Sequence, residues 1–328
     1  MSTASASDQF GIGVIGAGMM GAHHVRTLDG GVSGAAPVAV SDADRERAAA
    51  LGVPVLDDPY ALIADPRVDA VLIASSDETH ESFVLACLDA GKPVLCEKPL
   101  GLTAASAAKI VEYEAGRDLV SVGFMRRFDP SYVEMKRLLD EGAIGPALMA
   151  HCVHRNVDVP DHFSGDFSIV SSAVHEFDIL RWLLGQEIVA VTVFTPTHSG
   201  FAAESLRDPR MLVVQLEGGA VADIEVFVNA RYGYDVRCEI VGETGTVALR
   251  SPAAVTTRID RRDATAVPAD FRTRFAAAYR DELQAWVDGL RGGRHRLATA
   301  SDGHRSNLIC EAAIESGRTG RTVAVDLP

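Results

Sequence analysis

The sequence predicts an α/β protein with an N-terminal, doubly wound parallel sheet and a C-terminal α+β domain that contains a large, mostly antiparallel sheet. Three observations support this fold class. Short apolar runs alternate with helical patterns up to residue 125, a glycine-rich turn follows the first run, and long β-type runs joined by turns dominate afterwards. A chain of 328 residues is long enough for two domains that each bury a core.

The N-terminal domain is expected to comprise residues 1–125, with a disordered tail at 1–9 that carries no targeting signal. Continuous apolar runs between helices indicate strands buried on both faces, as in parallel sheets with right-handed crossovers. The predicted strands are 11–15, 37–41, 68–74, 93–96 and 120–124. The predicted helices extend from the glycine turn to Leu28 and over 44–51, 80–90 and 104–116.

The C-terminal domain is expected to comprise residues 126–328 and to bind substrate and mediate oligomerisation. Its β-type runs follow one another with turn signals such as Glu217-Gly218-Gly219, which is typical of antiparallel sheets. The predicted strands are 148–154, 188–195, 211–216, 221–229, 235–241 and 246–250. The predicted helices are 130–141, 172–184, 271–290 and 301–317.

Charge and composition narrow the choice of partners and compartment. A formal net charge of -14 argues against binding to nucleic acid or to an anionic membrane surface. No apolar run approaches the length that spans a bilayer. The five cysteines are scattered without a CxxC pair, which favours reduced thiols in the cytoplasm over disulfides or a zinc site.

The glycine-rich turn Gly16-Ala17-Gly18-Met19-Met20-Gly21 lies between the first strand and the first helix. In a Rossmann domain, the first glycine permits the tight turn, the second lets the backbone approach a pyrophosphate, and the third lets helix and strand pack closely. The helix N-terminus offers N–H groups and a positive dipole end to the phosphates. Because the turn has the right neighbours, it predicts a dinucleotide site.

Asp42 follows the second strand, where a carboxylate can accept hydrogen bonds from both ribose hydroxyls of NAD. The same carboxylate repels a 2′-phosphate, so NAD is favoured over NADP. Two alternatives remain: Asp42 caps the helix that opens at Asp44, or Arg45 accepts a 2′-phosphate. Further cofactor contacts are expected from Met19, Met20, Ser75, Glu97 and Lys98.

Two residues are candidates for proton transfer. Lys98 lies in Cys96-Glu97-Lys98-Pro99-Leu100, at the carboxyl end of a parallel strand, where open α/β sheets bind ligands. The alternative is a surface lysine in a turn. His175 lies on a predicted helix and shares a face with Ser171, four residues earlier. A lone helical histidine is more often structural, and on this helix Asp178 and Arg181 are expected to pair.

At these residues the sequence resembles the glucose–fructose oxidoreductase/inositol dehydrogenase (Gfo/Idh/MocA) family, and within it most closely the inositol 2-dehydrogenases. The likeness covers nearly the whole chain. The motifs that carry it are the glycine turn, Glu97-Lys98-Pro99, GFMRRFD at 123–129, HCVHRN at 151–156, HEFD at 175–178, ARYGYD at 230–235 and RFAAAY at 274–279.

The resemblance implies oxidation of a secondary hydroxyl of an inositol, cyclitol or sugar to the ketone, with hydride passing to NAD. Lys98 and His175 would handle the hydroxyl proton. The positions that would contact the polyol are Arg126, His154, Asn156, Ser171 and Tyr234. The resemblance also suggests a homotetramer assembled through the open face of the C-terminal sheet. No metal is expected, because His151 and His154 face opposite sides of their strand.

One departure from the family affects substrate choice. The inositol dehydrogenases carry an aspartate four residues before the catalytic histidine, where this chain has Ser171, and Phe271 stands where the family often has tryptophan. Serine offers a neutral hydroxyl in place of a carboxylate, which indicates a weaker proton relay or another substrate. The alternatives are an aldose 1-dehydrogenase or another sugar-modifying oxidoreductase, which the same scaffold supports, or a catalytically impaired NAD-binding paralogue, whose loss of activity Ser171 would mark.

Overall fold

The computed structural model describes residues 9–161, 163–249, 256–292 and 297–328. The tail expected at residues 1–9 therefore lies outside the described residues, apart from Gln9, as does Arg250 at the end of a predicted strand. The chain forms two compact units. The first comprises Met1–Met125 and Ala277–Asn307, and the second comprises Arg126–Ala276 and Leu308–Pro328.

The helices of the described residues include a single turn of 3₁₀-helix at Met125–Phe128 and a π-helical segment at Ser168–Ala173. The α-helices are α1 Met19–Gly31, α2 Arg45–Ala49, α3 Pro59–Ala64, α4 Asp77–Asp89, α5 Ala104–Glu114, α6 Pro130–Asp140, α7 Val174–Leu184, α8 Phe271–Arg274, α9 Ala276–Leu290 and α10 Ala300–Thr319. None of the described helices is long and apolar enough to cross a membrane.

The strands are β1 Phe10–Ile15, β2 Ala35–Ser41, β3 Ala70–Ile73, β4 Val94–Glu97, β5 Val120–Gly123, β6 Ala147–Arg155, β7 Ile188–Phe194, β8 Arg210–Leu216, β9 Val221–Phe227, β10 Asp235–Gly242, β11 Thr246–Ala248, β12 Thr256–Ile259, β13 Arg262–Thr265, β14 Ala298–Thr299 and β15 Val323–Ala324. They form two large sheets, one in each unit, and the separate hairpin β12–β13.

The sheet of the first unit has the order β2-β1-β3-β4-β5-β14. The pairs from β2 to β5 are parallel, and β14 adds an antiparallel edge to β5. Every residue of β3, β4 and β5 is buried, which agrees with the continuous apolar runs of these strands. The predicted doubly wound sheet is confirmed.

The sheet of the second unit has the order β11-β10-β6-β9-β8-β7-β15. Its neighbours are antiparallel except β6 and β9, which run parallel. Burial alternates along β9 and β10, so one face belongs to the core and the other is open. The predicted α+β fold with a large, mostly antiparallel sheet is confirmed.

The structure groups one segment differently from the sequence-based division. Residues 277–307, which the sequence places in the C-terminal domain, pack with the first unit. There, Tyr279 of α9 contacts the rings of His23 and His24, at centroid distances of 5.1 and 5.8 Å. Ala298 pairs with Val122. An amphipathic helix and an edge strand can be added to a sheet from a distant part of the sequence, which local patterns do not reveal.

Candidate functional site

The glycine turn has the geometry that each of its glycines was expected to provide. Gly16 has a φ of +98°, and a Cβ there would lie 2.4 Å from the carbonyl oxygen of Ala74. A Cβ at Gly21 would lie 1.9 Å from the Gly16 carbonyl oxygen. At Gly18, the N-cap of α1, a Cβ would meet nothing within 4 Å. The turn is therefore closed where protein packs and open where a phosphate group would approach the helix N-terminus.

A pocket of about 630 Å³ opens at the carboxyl ends of β1, β2 and β3. The predicted cofactor residues that line it are Gly16, Gly18, Asp42 and Ser75. Other lining residues, not predicted from the sequence, include Arg47, Asp57, Pro59 and Phe83. The remaining predicted contacts (Met19, Met20, Glu97 and Lys98) are not among the lining residues. The Asp58-Pro59 helix start is a capping signal that would have revealed α3 beside the pocket.

The contacts of Asp42 decide between the alternatives that the sequence left open. Its carboxylate accepts the backbone N–H of Ala17 at 2.5 Å and that of Asp44 at 2.7 Å. Helix α2 is capped by Asp44, whose side chain accepts the N–H of Arg47 at 3.0 Å. The alternative that Asp42 is the helix cap is therefore wrong.

Two arginines lie near the pocket. Arg45 forms an ion pair with Asp57, and both side chains are exposed. Arg47, rather than Arg45, lines the pocket, with Nη2 at 3.1 Å from Asp44 Oδ2. A carboxylate at Asp42, an open Gly18 and the N-terminus of α1 together fit a dinucleotide whose ribose carries free hydroxyls.

Glu97 ends β4 with its carboxylate directed into the protein. Oε1 lies 2.7 Å from Nε2 of His24, and Oε2 accepts the backbone N–H of Lys98 at 3.2 Å. Burial by itself would raise the pKa of Glu97, but the hydrogen bond from His24 and the charge and amide of Lys98 lower it below the usual value. Lys98 is half-buried, and the carbonyl of Pro99 accepts a hydrogen bond from His80 Nδ1 at 2.7 Å.

The second unit brings Arg126, His154 and Glu176 together in its interior. Nη1 of Arg126 donates to Glu176 Oε1 at 2.5 Å, and Nη2 lies 3.1 Å from His154 Nδ1. His154 Nδ1 also lies 3.2 Å from Glu176 Oε1. Burial would raise the pKa of Glu176, but the Arg126 charge and the hydrogen bonds of His154 and Arg126 lower it. Arg126 is 1% exposed, so its guanidinium is engaged by protein partners.

Aromatic rings continue this cluster. The ring centroids of His154 and His175 are 6.3 Å apart, and those of His154 and Tyr234 are 5.7 Å apart. Tyr234 in turn contacts Phe271 and Phe275 edge-on, at 6.3 and 6.2 Å. His175, His154 and Tyr234 are each less than a tenth exposed. Four of the residues expected to bind or react with substrate (Arg126, His154, His175 and Tyr234) therefore form one contiguous group.

Asn156 follows β6, two residues beyond His154. Its backbone continues the sheet, since its N–H donates to the carbonyl of Phe227 and its carbonyl accepts from Ala230. Its side-chain Oδ1 is buried and has no hydrogen-bond partner among the described residues. A buried amide oxygen is seldom left unsatisfied in a native protein, so this atom is suited to accept a hydrogen bond from a ligand.

Ser171 lies in the π-helical segment that leads into α7, where the sequence indicated an ordinary α-helix. It is half-buried, and His175 is 8% exposed. Asp166, the carboxylate five residues earlier, forms an ion pair with the buried Arg210. π-Helical turns occur frequently at functional sites.

Two expectations about paired side chains have different outcomes. Asp178 and Arg181 each bind a different residue: Asp178 accepts from Arg127 at 2.5 Å, and Arg181 donates to Glu187 at 2.5 Å. His151 and His154 do point to opposite faces of β6, because His154 is buried and His151 is exposed beside Asp223. The described residues contain no group of three His, Cys, Asp or Glu side chains placed to hold a metal ion.

The candidate residues fall into two groups, one in each unit. Gly16, Gly18, Asp42, Ser75 and Lys98 belong to the first. The second contains the residues expected to meet a substrate: Arg126, His154, Asn156, Ser171, His175 and Tyr234. Sequence reasoning missed Glu176, although an acidic residue beside His175 on a mostly apolar helix was a signal for a buried charge pair.

Family models match both the N-terminal and the C-terminal part of the chain. Residues 10–124 match the model of the oxidoreductase family with an NAD-binding Rossmann fold, and residues 136–325 match that family's C-terminal α/β domain. The chain is 54% identical to inositol 2-dehydrogenase 2 of Saccharopolyspora erythraea, over 96% of this chain and 95% of that one. It is 43% identical to an inositol 2-dehydrogenase of Pseudomonas fluorescens, over 97% of each chain.

Solved structures give the same result. The myo-inositol dehydrogenase of Lactobacillus casei, in complex with NAD(H) and myo-inositol, has a TM-score of 0.93 and 33% identity over 98% of both chains. The scyllo-inositol dehydrogenase of that organism, with NAD(H) and scyllo-inositol bound, has a TM-score of 0.89 and 25% identity over 97% of this chain and 99% of that one. The protein therefore belongs to the Gfo/Idh/MocA family of NAD-binding oxidoreductases.

Proposed function

We propose that the protein is an NAD-dependent dehydrogenase that oxidises a secondary ring hydroxyl of an inositol, a related cyclitol or a sugar to the ketone. The observation that carries this proposal is the similarity to inositol 2-dehydrogenases over nearly the whole chain, at up to 54% identity. The likeness to a structure that holds both NAD(H) and myo-inositol supports the same substrate class.

The first unit holds the cofactor. The backbone around Gly18 and the N-terminus of α1 bind the pyrophosphate, because Gly18 leaves space and the helix end presents N–H groups. Asp42 accepts hydrogen bonds from the ribose hydroxyls, and Pro59 and Phe83 provide apolar lining in the same pocket. When bound, NAD supplies the hydride acceptor.

The proton of the reacting hydroxyl is handled by protein side chains. Lys98 accepts this proton at Nζ as general base, and His175 exchanges a proton with the reacting group or with solvent. A lysine at the carboxyl end of a parallel strand suits this task because ligands of open α/β sheets bind at that edge.

The second unit binds the polyol. Asn156 Oδ1 accepts a hydrogen bond from a substrate hydroxyl, and the Tyr234 ring closes the site beside His154. Ser171 contributes a neutral hydroxyl from the π-helical segment. Arg126 acts through Glu176 and His154, whose positions it fixes, since its own guanidinium is buried against them.

We further propose that the protein is a cytoplasmic homotetramer assembled through the open face of the seven-stranded sheet. The five cysteines are all buried and none forms a disulfide, which suits a reducing compartment. The open face combines exposed apolar side chains such as Met149 and Val221 with ion pairs such as Arg155–Glu225. Mixed surfaces of this kind are typical of interfaces between subunits.

The purified protein tests the proposal when it is incubated with NAD and a panel of inositols, amino and deoxy cyclitols, and aldoses. The expected result is NADH formation with at least one cyclitol or sugar and a ketone product by mass spectrometry. Formation of a lactone from an aldose would instead identify the protein as an aldose 1-dehydrogenase. Tight NAD binding without turnover of any compound would indicate the impaired paralogue.

A further inference from the structure

A histidine and a glutamate lie paired beneath Lys98, and the reaction proposed above leaves this pair unused. His24 on α1 is 1% exposed and Glu97 at the end of β4 is 9% exposed. They meet at 2.7 Å, although they are 73 residues apart in the sequence. The other carboxylate oxygen of Glu97 accepts the backbone N–H of Lys98.

The residues around Glu97 and His24 leave room for the Glu97 carboxylate and hold the His24 ring in place. A Cβ at Gly123, the residue of β5 that pairs with Glu97, would lie 3.1 Å from Glu97 Oε2 and 3.2 Å from its carboxyl carbon. Any larger residue at 123 would crowd the carboxylate, so the glycine leaves room for it. On the other side, the ring of Tyr279 packs edge-on against His24 at 5.8 Å. The side chains of Glu97 and His24 are therefore held in one arrangement.

The hydrogen bond between the two side chains favours the ionised form of Glu97. A carboxylate only accepts, so His24 donates from Nε2. His24 Nδ1 is buried and has no hydrogen-bond partner among the described residues. The negative charge of Glu97 then acts on Lys98, the neighbouring cation.

We propose that Glu97, fixed by His24 and Gly123, is a positioning residue whose buried negative charge favours the ammonium form of Lys98 and so sets the pH at which Lys98 becomes a base. This inference rests on the proposed role of Lys98 in proton transfer. It assigns Glu97 to Lys98 rather than to the cofactor, where the sequence had placed it. The attraction is mutual: the Lys98 charge helps to lower the pKa of Glu97.

Other ionisable groups near this pair lie on α1, along the chain beside Glu97, and on α9. From α1, His24 faces Glu97, and the adjacent His23 contacts Tyr279. From β4, the neighbours of Glu97 are Cys96 and Lys98. Burial raises the pKa of Cys96 far above neutral pH, so its thiol carries no charge. From β5, the contact is with Gly123, and from α9, Tyr279 faces His24.

Lysine labelling measures the effect directly. The chain has four lysines, namely Lys92, Lys98, Lys109 and Lys136. Mass spectrometry can therefore follow the acetylation of Lys98 by acetic anhydride as a function of pH, in the absence of substrate and cofactor. In Glu97→Gln, we expect the midpoint of Lys98 acetylation to fall by about one pH unit, since an opposite charge nearby shifts a titration by that order. Lys109, paired with Glu81, serves as the internal reference.

Matched variants separate charge from structure. Glu114→Gln removes another buried carboxylate of the same unit, which lies at the amino end of β5 and accepts from Val120, and it should leave the Lys98 midpoint unchanged. His24→Gln keeps an N–H donor for Glu97 and should retain most of the native midpoint, whereas His24→Ala should shift it downward. These two variants also test the proposal if Glu97→Gln does not fold.

The outcome is independent of whether a polyol is turned over, because the labelling uses neither substrate nor NAD. An unchanged Lys98 midpoint in Glu97→Gln and in His24→Ala would overturn the inference and leave the proposed dehydrogenase activity untouched. Where turnover is measured, the acidic limb of the kcat/KM profile should move to lower pH in Glu97→Gln. A uniform loss of kcat without movement of that limb would assign Glu97 a purely structural role.

Discussion

At the scale of single residues, the carboxylate of Asp42 is the feature that distinguishes two cofactors differing by one phosphate group. Its oxygens are held by the backbone N–H groups of Ala17 and Asp44, so the carboxylate has a fixed position at the pocket. A 2′-phosphate would meet this negative charge, and Arg47, the arginine that lines the pocket, is already paired with Asp44. Both facts favour NAD.

We therefore expect NADH to bind more tightly than NADPH by about tenfold or more, because a hydrogen bond to a charged group contributes about 1.5–3 kcal/mol. In Asp42→Ser, NADH affinity should fall and NADPH affinity should rise, since the repulsion is removed. Fluorescence titration of both reduced cofactors measures this. Asp57→Asn, which removes another carboxylate from the same pocket, is the control. Equal affinities in the native protein would contradict the assignment.

Lys98 should affect chemistry more than cofactor binding. In Lys98→Ala, we expect kcat to fall by about 10²–10⁴-fold, the usual range for a lost general acid–base group. NADH affinity should stay within about threefold of the native value, because Lys98 does not line the cofactor pocket. Lys109→Ala, at an exposed ion pair, should change neither quantity. A loss of turnover below tenfold would mean that another group is the base.

Ser171 bears on substrate choice. A carboxylate at this position would accept substrate hydroxyls and stabilise a neighbouring cation, whereas the nearby Asp166 is committed to Arg210. We expect myo-inositol to be a poor substrate of the native protein. Ser171→Asp should raise its kcat/KM by about tenfold or more, since a charge-assisted hydrogen bond contributes about 1.5–3 kcal/mol. Ser171→Asn is the control, because asparagine has the size of aspartate but no charge. If the native protein turns over myo-inositol rapidly and Ser171→Asp does not improve this activity, Ser171 does not adapt the site to another substrate.

The sequence predicted the roles of single residues where their neighbours in the sequence were sufficient to indicate them. Asp42 follows a strand with a recognisable turn before it, so its position at the pocket could be inferred. The partners of buried charges could not, because Arg126 and Glu176 are 50 residues apart and His24 and Glu97 are 73 apart. For the same reason, the sequence predicted a cofactor contact for Glu97 but gave no sign of its hydrogen bond with His24.

At the scale of elements, the strand β1, the glycine turn and helix α1 act as one unit in which each glycine has a different constraint. Gly16 and Gly21 are confined by protein backbone, since a Cβ at either would overlap a carbonyl group. A Cβ at Gly18 would meet no protein atom within 4 Å. Its lack of a side chain is therefore explained by the ligand and not by packing.

This difference gives a test in which folding and binding separate. Gly18→Ala should leave Tm nearly unchanged but weaken NADH binding by at least about tenfold, because the methyl group occupies the place where the pyrophosphate approaches. Gly21→Ala should lower the stability of the first unit by about 1–3 kcal/mol, the usual cost of overpacking. Thermal unfolding and NADH titration of both variants measure the two effects. Native NADH affinity in Gly18→Ala would place the phosphates elsewhere.

Periodicity predicted most elements because apolar residues recur at strand or helix spacing. It failed where tertiary contacts determine the ends of an element. The helix expected over 271–290 is broken at Phe275 into α8 and α9, since Phe275 is fully buried against the ring of Tyr234 and the guanidinium of Arg126. The hairpin β12–β13 is exposed along both strands and so has no apolar alternation to detect.

At the scale of the whole molecule, the seven-stranded sheet determines which surface is left for another subunit. Side chains such as Met149, His151 and Val213 alternate with buried neighbours and point away from the core. On this outward face, Val213 of β8 lies opposite Asp223 of β9 in the strand register. A surface with apolar side chains and paired charges on adjacent strands is suited to pack against a copy of itself.

We expect light scattering coupled to size-exclusion chromatography to give the mass of about four chains for the native protein, the assembly proposed above. Val213→Glu should reduce the assembly to dimers or monomers, because it sets a second negative charge beside Asp223 and would bury it at the interface without a partner. Since Val213 points outward, the fold of each chain should be retained, which circular dichroism would verify. Val133→Glu, at an exposed valine on α6, makes the same chemical change outside this face and should leave the mass unchanged. A tetramer that persists in Val213→Glu would place the subunit interface on another surface.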